Sequence, residues 1–216
     1  MSPDATQKGI RRTVIGMVLL IVFVIASFVY KVDQPRVLRA EELKLNGAYV
    51  FDQPRQLKPF ELVDHLGNPF NQVSLEGEWS LVFFGFTHCP DVCPTTMALL
   101  NELKVLLDDS GDAETRVIMV TVDPARDTVA KLAEYVPYFN EDFLGVTGNY
   151  LDIHRLATGL NTPFRKVILD DGSDYTMDHG AGIALINPRG HYHGFFKPPH
   201  ELGKLRLTYR SIRASY

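Results

Sequence analysis

Residues 83–97 read FFGFTHCPDVCPTTM and contain both cysteines of the 216-residue chain, Cys89 and Cys93. The segment is preceded by WSLVFFGF (residues 79–86), a continuously apolar run typical of a strand buried on both faces. After it, a methionine and three leucines recur at helical spacing and predict an amphipathic helix over residues 94–107. The dithiol is therefore expected between the end of a buried strand and the start of a helix, where open α/β sheets bind ligands.

The spacing of the two cysteines favours metal or redox chemistry. Residues four apart on a helix share a face, so the sulfurs of Cys89 and Cys93 can converge on one ion or on each other. A helix amino terminus lowers the pKa of a thiol, and the thiolate is the form that binds soft metals and attacks disulfides. A purely structural disulfide would close a very short loop and contribute only roughly 2 kcal/mol. Three residues between the cysteines, instead of the two of a Cys-x-x-Cys motif, favour metal binding over a copy of thioredoxin.

The rest of the domain alternates predicted strands with predicted helices. Residues 60–63 and 72–75 flank a turn with Gly67 and Pro69 and suggest a hairpin. We expect an α/β fold with a central sheet and flanking helices on both faces. The further strands are predicted at 116–122, 143–146, 164–169, 181–186 and 192–196, and the further helices at 128–138, 150–158 and 199–212.

An uncharged apolar run over residues 13–30 predicts one transmembrane helix. Basic residues precede it, which places residues 1–12 in the cytoplasm and the long carboxyl-terminal part outside, in a bacterial inner membrane facing the periplasm. A cleaved signal peptide is the alternative, but the run is longer than a usual signal core and no Ala-x-Ala follows it. A buried helix of the soluble domain is a further alternative, and the extreme amino-terminal position disfavours it.

Beyond the anchor, residues 31–56 are expected to be a connector and residues 57–216 one domain. The first 39 residues hold 6 of the 22 basic and 2 of the 26 acidic side chains, so the remainder has 16 and 24 and a net charge of −8. Such a domain has no electrostatic basis for binding nucleic acid. Its surface is compatible with cationic partners, metal ions among them.

His179 is the histidine best placed to join the thiols. It lies in YTMDHGA (residues 175–181), just before a predicted buried strand, and small residues follow it. Asp178 could orient its imidazole or supply charge near a bound ion. Spacing alone leaves open whether His179 is a ligand or a surface residue. His191 and His193 are explained best as polar residues of a strand at the edge of the sheet. His88 is expected to tune the pKa of a thiol. Structural or solvated roles are expected for His65, His154 and His200.

Four segments together resemble the Sco/SenC family of membrane-anchored, thioredoxin-like copper chaperones for cytochrome c oxidase. They are GFTHCPDVCPTTM (85–97), VTVDPARDT (120–128), FLGVTG (143–148) and DYTMDHGA (174–181), in the family's order. By motif match, the resemblance implies that the copper ligands are Cys89, Cys93 and His179. Asp178 and Asp123 also match family positions and are expected behind the ligands. Gly180 stands where the family often has Thr or Ser, at a position that binds no metal.

The resemblance implies a copper metallochaperone that helps to assemble the dinuclear copper centre of cytochrome c oxidase. Two thiolates suit Cu(I) and an added imidazole suits Cu(II), so one site can hold either state. The implied partners are the copper-bearing oxidase subunit, a copper donor and a thiol reductant, because oxidised cysteines cannot bind metal. The alternative is a thiol–disulfide oxidoreductase in which Cys89 and Cys93 are the redox-active dithiol that reduces the client's cysteines. A peroxiredoxin-type peroxidase is disfavoured, because no threonine lies three residues before either cysteine.

Overall fold

The computed structural model describes residues 3–33, 35–112, 114–169 and 174–216, in two units, residues 1–36 and 37–216. The first unit contains helix α1 (Pro3–Asp33). Within it, the 20 residues Gly9–Phe28 have a mean hydropathy of 2.1 and are not buried. They extend about 30 Å, the thickness of a bilayer core. By length and composition this is a candidate membrane anchor, and it covers most of the predicted span 13–30. The first two residues of the predicted segment 1–12 lie outside the described residues.

The second unit is built on a central sheet. Across the described residues, eight strands pair in the order β1-β10-β9-β4-β5-β6-β2-β3, and β7 pairs with β8 in a separate hairpin. Strands β4, β5 and β6 are parallel, whereas the other pairs are antiparallel. The bounds are β1 Ala48–Arg55, β2 Leu62–Asp64, β3 Pro69–Phe70, β4 Trp79–Gly85, β5 Thr115–Thr121, β6 Leu144–Gly148, β7 Phe164–Ile168, β8 Tyr175–His179, β9 Ile183–Ile186 and β10 Tyr192–Phe196.

Helices connect the parallel strands, because parallel neighbours need a crossover connection. One helix, α3, links β4 to β5, and α4 links β5 to β6. The helices of this unit are α2 Ala40–Leu45, α3 Val92–Asp108, α4 Val129–Tyr135, α5 Tyr150–Gly159 and α6 Leu202–Ala214. The predicted α/β fold with a central sheet and flanking helices is confirmed.

Every residue of β4 is buried, as its unbroken apolar sequence predicts. Strand β4 lies between β9 and β5 in the middle of the sheet. The chain leaves β4 at Gly85, forms a loop over residues 86–91 and enters α3 at Val92. A second loop, residues 122–128, follows β5 at the same edge of the sheet, since the two strands are parallel. The two loops therefore lie side by side above the carboxyl ends of the strands.

Two segments differ from the sequence predictions. The expected connector 31–56 contains α2 and β1, and β1 pairs with β10 at one edge of the sheet. Its proline, Pro54, is tolerated because an edge strand has one side without ladder hydrogen bonds. The predicted hairpin forms, but its predicted second strand at 72–75 is wrong: β2 pairs with the short β3, and Val73–Leu75 is a 3-10 turn.

Helix α4 is shorter than predicted. The Thr128 side chain accepts a hydrogen bond from the Lys131 N–H and caps its start. The helix ends at Tyr135, two residues before Pro137, because proline has no N–H to continue the helical hydrogen bonds. The predicted span 128–138 therefore exceeds the observed helix at its carboxyl end.

Candidate metal centre

Gly85 at the end of β4 allows the cysteine segment to pack closely. A Cβ atom at this position would lie 2.8 Å from a ring carbon of Phe83, 3.2 Å from the Sγ of Cys93 and 3.3 Å from the Cε of Met119. The first distance is shorter than a normal contact. The absence of a side chain here lets the Cys93 sulfur rest against the end of the central strand.

The two cysteines occupy different environments. Cys93 is the second residue of α3 and is fully buried, whereas Cys89 lies in the preceding loop and is half-buried. Both are free thiols. The Cys93 N–H donates to the Sγ of Cys89 at 3.4 Å, so a free N–H of the first helical turn points at the Cys89 sulfur.

Burial, rather than the helix terminus, sets the acidity of Cys93. Loss of solvation raises the pKa of its thiol far above the ordinary value, and the hydrogen bond with Cys89 acts in the same direction. The sequence predicted a lowered pKa from the helix position, and for Cys93 that prediction is wrong. In the metal-free state Cys93 is a protonated thiol at neutral pH.

His179 faces the buried thiol from the β7–β8 hairpin. Its Nε2 lies 3.7 Å from the Sγ of Cys93. Its Nδ1 lies 3.1 Å from the carbonyl oxygen of Gly180, and because a carbonyl only accepts, Nδ1 carries the proton. The Nε2 lone pair therefore points toward the sulfur. Burial lowers the pKa of the imidazole and favours this neutral form.

Aromatic rings and an open pocket surround the imidazole. The rings of Phe83 and Phe86 contact it edge-on, with centroids 6.2 and 5.8 Å away. His179 also lines an open pocket of about 370 Å³, together with Pro163, Phe164, Arg165, Asp178 and Gly180. The imidazole is thus fixed by apolar contacts and remains reachable from solvent.

The separation of these atoms suits one shared metal ion. Metal–sulfur and metal–nitrogen bonds of about 2.3 and 2.1 Å, at a tetrahedral angle, place the two donor atoms about 3.6 Å apart. The observed separation of the Cys93 Sγ and His179 Nε2 is 3.7 Å. In the described part of the chain, no group of three or more His, Cys, Asp or Glu side chains has already converged on one point.

Asp127 anchors the cysteine loop, and the sequence reasoning did not single it out. Its fully buried carboxylate accepts hydrogen bonds from the Thr87 N–H at 3.0 Å and from the Thr87 and Thr121 hydroxyls at 2.6 Å each. Thr87 is two residues before Cys89, so the loop after β5 holds the loop after β4. Its sequence signal was a second aspartate four residues after Asp123 in VTVDPARDT.

The two aspartates singled out from the sequence contact the site indirectly. Asp178 forms an ion pair with Arg165 on the neighbouring strand at 2.9 Å. The hydrogen bond that orients His179 goes to Gly180, so Asp178 contributes charge without holding the ring. Asp123 is buried and bonds to Arg126 and to the Tyr175 hydroxyl.

Four other histidines have contacts with groups other than the thiols. The Nδ1 of His65 accepts the Gly145 N–H at 2.9 Å, a structural role as predicted. His88 is exposed and bonds to the Thr87 hydroxyl at 3.1 Å, a contact that gives no support for tuning a thiol. His193 packs edge-on against Trp79, and its strand β10 lies between β1 and β9. The edge-strand explanation of His193 is therefore wrong, since the side chain is buried in the sheet interior. His200 bonds to the Ala181 carbonyl at 2.7 Å.

Comparison with known proteins identifies relatives of this chain. The SCO1/SenC family model matches residues 51–211. A relative from Stutzerimonas stutzeri is 37% identical over 170 residues, which cover 78% of this chain and 83% of that protein. The mitochondrial SCO1 homolog 1 of Arabidopsis thaliana is 30% identical over 83% of this chain, which spans 55% of that relative's length. The crystal structure of Arabidopsis ScoI with copper bound superposes with a TM-score of 0.69 at 31% identity, covering 74% of this chain and 98% of that one.

Proposed function

The chain belongs to the SCO1/SenC family, and we propose that it is a copper metallochaperone that helps to assemble the dinuclear copper centre of cytochrome c oxidase. The observation that carries the proposal is the 3.7 Å approach of the His179 Nε2 to the Cys93 sulfur, with Cys89 hydrogen-bonded to the same helical turn. Copper bound in the solved Arabidopsis relative supports the choice of metal.

In this proposal Cys89, Cys93 and His179 bind the copper ion as cargo. The two sulfurs suit Cu(I), and the imidazole nitrogen adds a donor that Cu(II) prefers. Copper has to replace the proton of Cys93, whose thiol is strongly protonated by burial. Cys89 is the more exposed of the two sulfurs and is therefore where an incoming ligand of the client first reaches the metal.

The proposed partners follow from this chemistry. The client is the copper-bearing subunit of the oxidase, and a copper donor and a thiol reductant act before delivery, since a disulfide between the cysteines would exclude copper. We assign the unit of residues 37–216 to the periplasmic side, residues 13–30 to an anchor and residues 1–12 to a cytoplasmic segment. Asp123 and Asp178 support the ligand residues without binding the copper ion.

A second candidate function is a thiol–disulfide oxidoreductase that reduces the cysteines of the client site. The observation that favours it is the pairing of a half-exposed thiol, Cys89, with a buried one, Cys93. An exposed sulfur can form a mixed disulfide with a substrate, which the buried sulfur then resolves. The same dithiol serves both functions, and His179 distinguishes them, because only metal binding uses its nitrogen as a ligand.

Anaerobic copper titration of the reduced chain in detergent micelles tests the metallochaperone proposal. We expect one copper ion per chain and, with Cu(II), a thiolate-to-copper charge-transfer band. Cys89→Ser and Cys93→Ser should each abolish tight binding, because a hydroxyl remains protonated at neutral pH and is a poor ligand for copper. Wild-type affinity in Cys93→Ser would exclude the dithiol site. Ser80→Ala, which removes a hydroxyl from the buried β4, is a matched control and should bind copper normally.

A further inference from the structure

The hairpin that carries His179 is fastened to the loop after β5 by three side chains, Asp123, Arg126 and Tyr175, here called the latch. The Tyr175 hydroxyl donates to an Asp123 carboxylate oxygen at 3.0 Å, and Arg126 forms an ion pair with the other oxygen. The Arg126 guanidinium lies 3.9 Å from the centre of the Tyr175 ring. Asp123 is only 3% exposed, so its bonds are shielded from water.

The β7–β8 hairpin depends on side-chain contacts for its position. Among the described residues, β7 and β8 pair only with each other and not with the central sheet. Tyr175 and His179 are the first and last residues of β8, so they lie on the same face of the strand. The latch therefore holds β8 at Tyr175, the end of the strand away from His179. It limits how far the strand can rotate about its His179 end.

The short loop after β5 contacts both the cysteine loop and the hairpin that carries His179. Asp127 bonds to Thr87 in the cysteine loop, and four residues earlier Asp123 bonds to Tyr175 in the His179 hairpin. The two aspartates belong to the same turn, in which the Asp127 N–H donates to the Asp123 carbonyl at 2.9 Å. One segment, residues 123–127, thus contributes to the positions of both the cysteine loop and the His179 hairpin.

Other contacts hold the hairpin near its base. Met177 and Phe164 are buried, and the His179 ring packs on Phe83 and Phe86. Loss of the latch should therefore leave the hairpin folded while it broadens the range of positions that the imidazole visits. A ligand that occupies its binding position for a smaller fraction of time lowers the apparent affinity by that fraction.

We propose that Asp123, Arg126 and Tyr175 are positioning residues that hold His179 at the dithiol and so set the affinity for the copper state that uses the imidazole nitrogen. This inference rests on the proposed function only in taking His179 as a copper ligand. It assigns Tyr175 and Arg126 a role in the site although neither touches the metal-binding atoms. Its consequence is selective: Cu(II) binding depends on the latch, and Cu(I) binding by the two sulfurs does not.

Tyr175→Phe in the full chain in detergent micelles is the test. It removes one hydroxyl bond to a buried carboxylate and keeps the ring under Arg126. We expect about tenfold weaker Cu(II) binding and less than twofold change for Cu(I). Hydrogen–deuterium exchange of the β7–β8 amides should accelerate. The control is Tyr209→Phe, which loses a hydroxyl bond to Thr115 of 2.6 Å at the opposite end of β5.

A double-mutant cycle separates this inference from the proposed function. In a His179→Ala background, Tyr175→Phe should have no further effect on Cu(II) affinity, because the imidazole that it positions is gone. If His179→Ala weakens Cu(II) binding but Tyr175→Phe behaves like Tyr209→Phe, the latch is overturned and the ligand set stands. If His179→Ala leaves Cu(II) binding unchanged, the ligand set and the latch are both overturned.

Discussion

Replacing Asp127 should uncouple the cysteine loop from the rest of the domain. The carboxylate is fully buried and accepts three hydrogen bonds, two from Thr87 and one from Thr121. Thr87 leads directly into the loop that carries Cys89. Asp127→Ala therefore removes the anchor of that loop without touching a sulfur or the imidazole.

The size of the effect follows from these bonds. A hydrogen bond to a charged group contributes about 1.5–3 kcal/mol, and removal of the buried charge recovers part of its desolvation cost. The threonine hydroxyls can rotate, whereas the Thr87 N–H is fixed and loses its acceptor. We expect Asp127→Ala to lower the free energy of unfolding by about 2–4 kcal/mol. Asp127→Asn keeps an acceptor oxygen and should cost about 1–2 kcal/mol.

Asp64→Ala is a matched control. Asp64 is also buried and accepts three hydrogen bonds, from the Leu66 N–H at 2.9 Å and from the N–H and side-chain amide of Asn68 at 2.8 and 3.1 Å. Asp64 lies in β2 beside Val146 of β6, and the two strands β5 and β6 separate β2 from β4. Its loss should destabilise the domain by a similar amount and leave copper affinity within about twofold.

Chemical denaturation and copper competition on the three variants provide the assay. Asp127→Ala should lose at least about tenfold in copper affinity at a temperature where the chain is folded, because the Cys89 loop then samples more positions. Equal copper affinities in Asp127→Ala and Asp64→Ala would refute the anchoring role. Equal stability of Asp127→Ala and wild type would refute the energetic reasoning.

The remaining predictions concern packing, acidity and topology. Gly85→Ala should lower the free energy of unfolding by about 1–3 kcal/mol and weaken copper binding, because the added Cβ meets Phe83 and Cys93. In the control Gly159→Ala, no atom lies within 4 Å of the added carbon, so calorimetry should show unchanged or higher stability. Because burial raises the pKa of Cys93, its thiol loses its proton at a lower pH in the unfolded chain than in the folded one. The free energy of unfolding of the reduced, metal-free chain should therefore fall as pH rises above 9.0. Urea titrations should show a shallower fall for Cys93→Ala. Iodoacetamide followed by peptide mass spectrometry should modify Cys89 before Cys93, and equal rates would contradict their difference in burial. A reporter active only in the cytoplasm, fused after Tyr216, should be silent if residues 13–30 anchor the chain as proposed, and strong activity would reverse the orientation.

The sequence predicted the centre of the fold because its signals there are local. The unbroken apolar run of β4 and the helical spacing that follows it identify a buried strand and helix without knowledge of their partners. Strand β1 was missed because AYVFDQPR has two charged residues and a proline, and its partner β10 lies far along the chain. Only tertiary pairing makes that segment a strand.

The sequence likewise predicted some parts of the candidate site and missed others. The dithiol, its place at a strand end and a candidate histidine could be taken from motifs, whereas the raised pKa of Cys93 depends on burial that spacing does not reveal. The anchoring by Asp127 and the latch at Tyr175 join residues about 40 and 50 positions apart. Such contacts leave no periodic pattern, so Asp127 received a role, and Asp123 its partners Arg126 and Tyr175, only once the fold was known.

His179→Ala tests the central claim most directly, measured beside wild type for Cu(II) affinity, Cu(I) affinity and the rate of reduction of a model disulfide. Loss of the nitrogen donor should weaken Cu(II) binding at least about tenfold and change Cu(I) binding and disulfide reduction little. His88→Ala, which removes an exposed imidazole next to Cys89, should leave all three quantities unchanged. Unchanged Cu(II) affinity with a collapsed rate of disulfide reduction would contradict the copper assignment and identify the dithiol as that of a reductase.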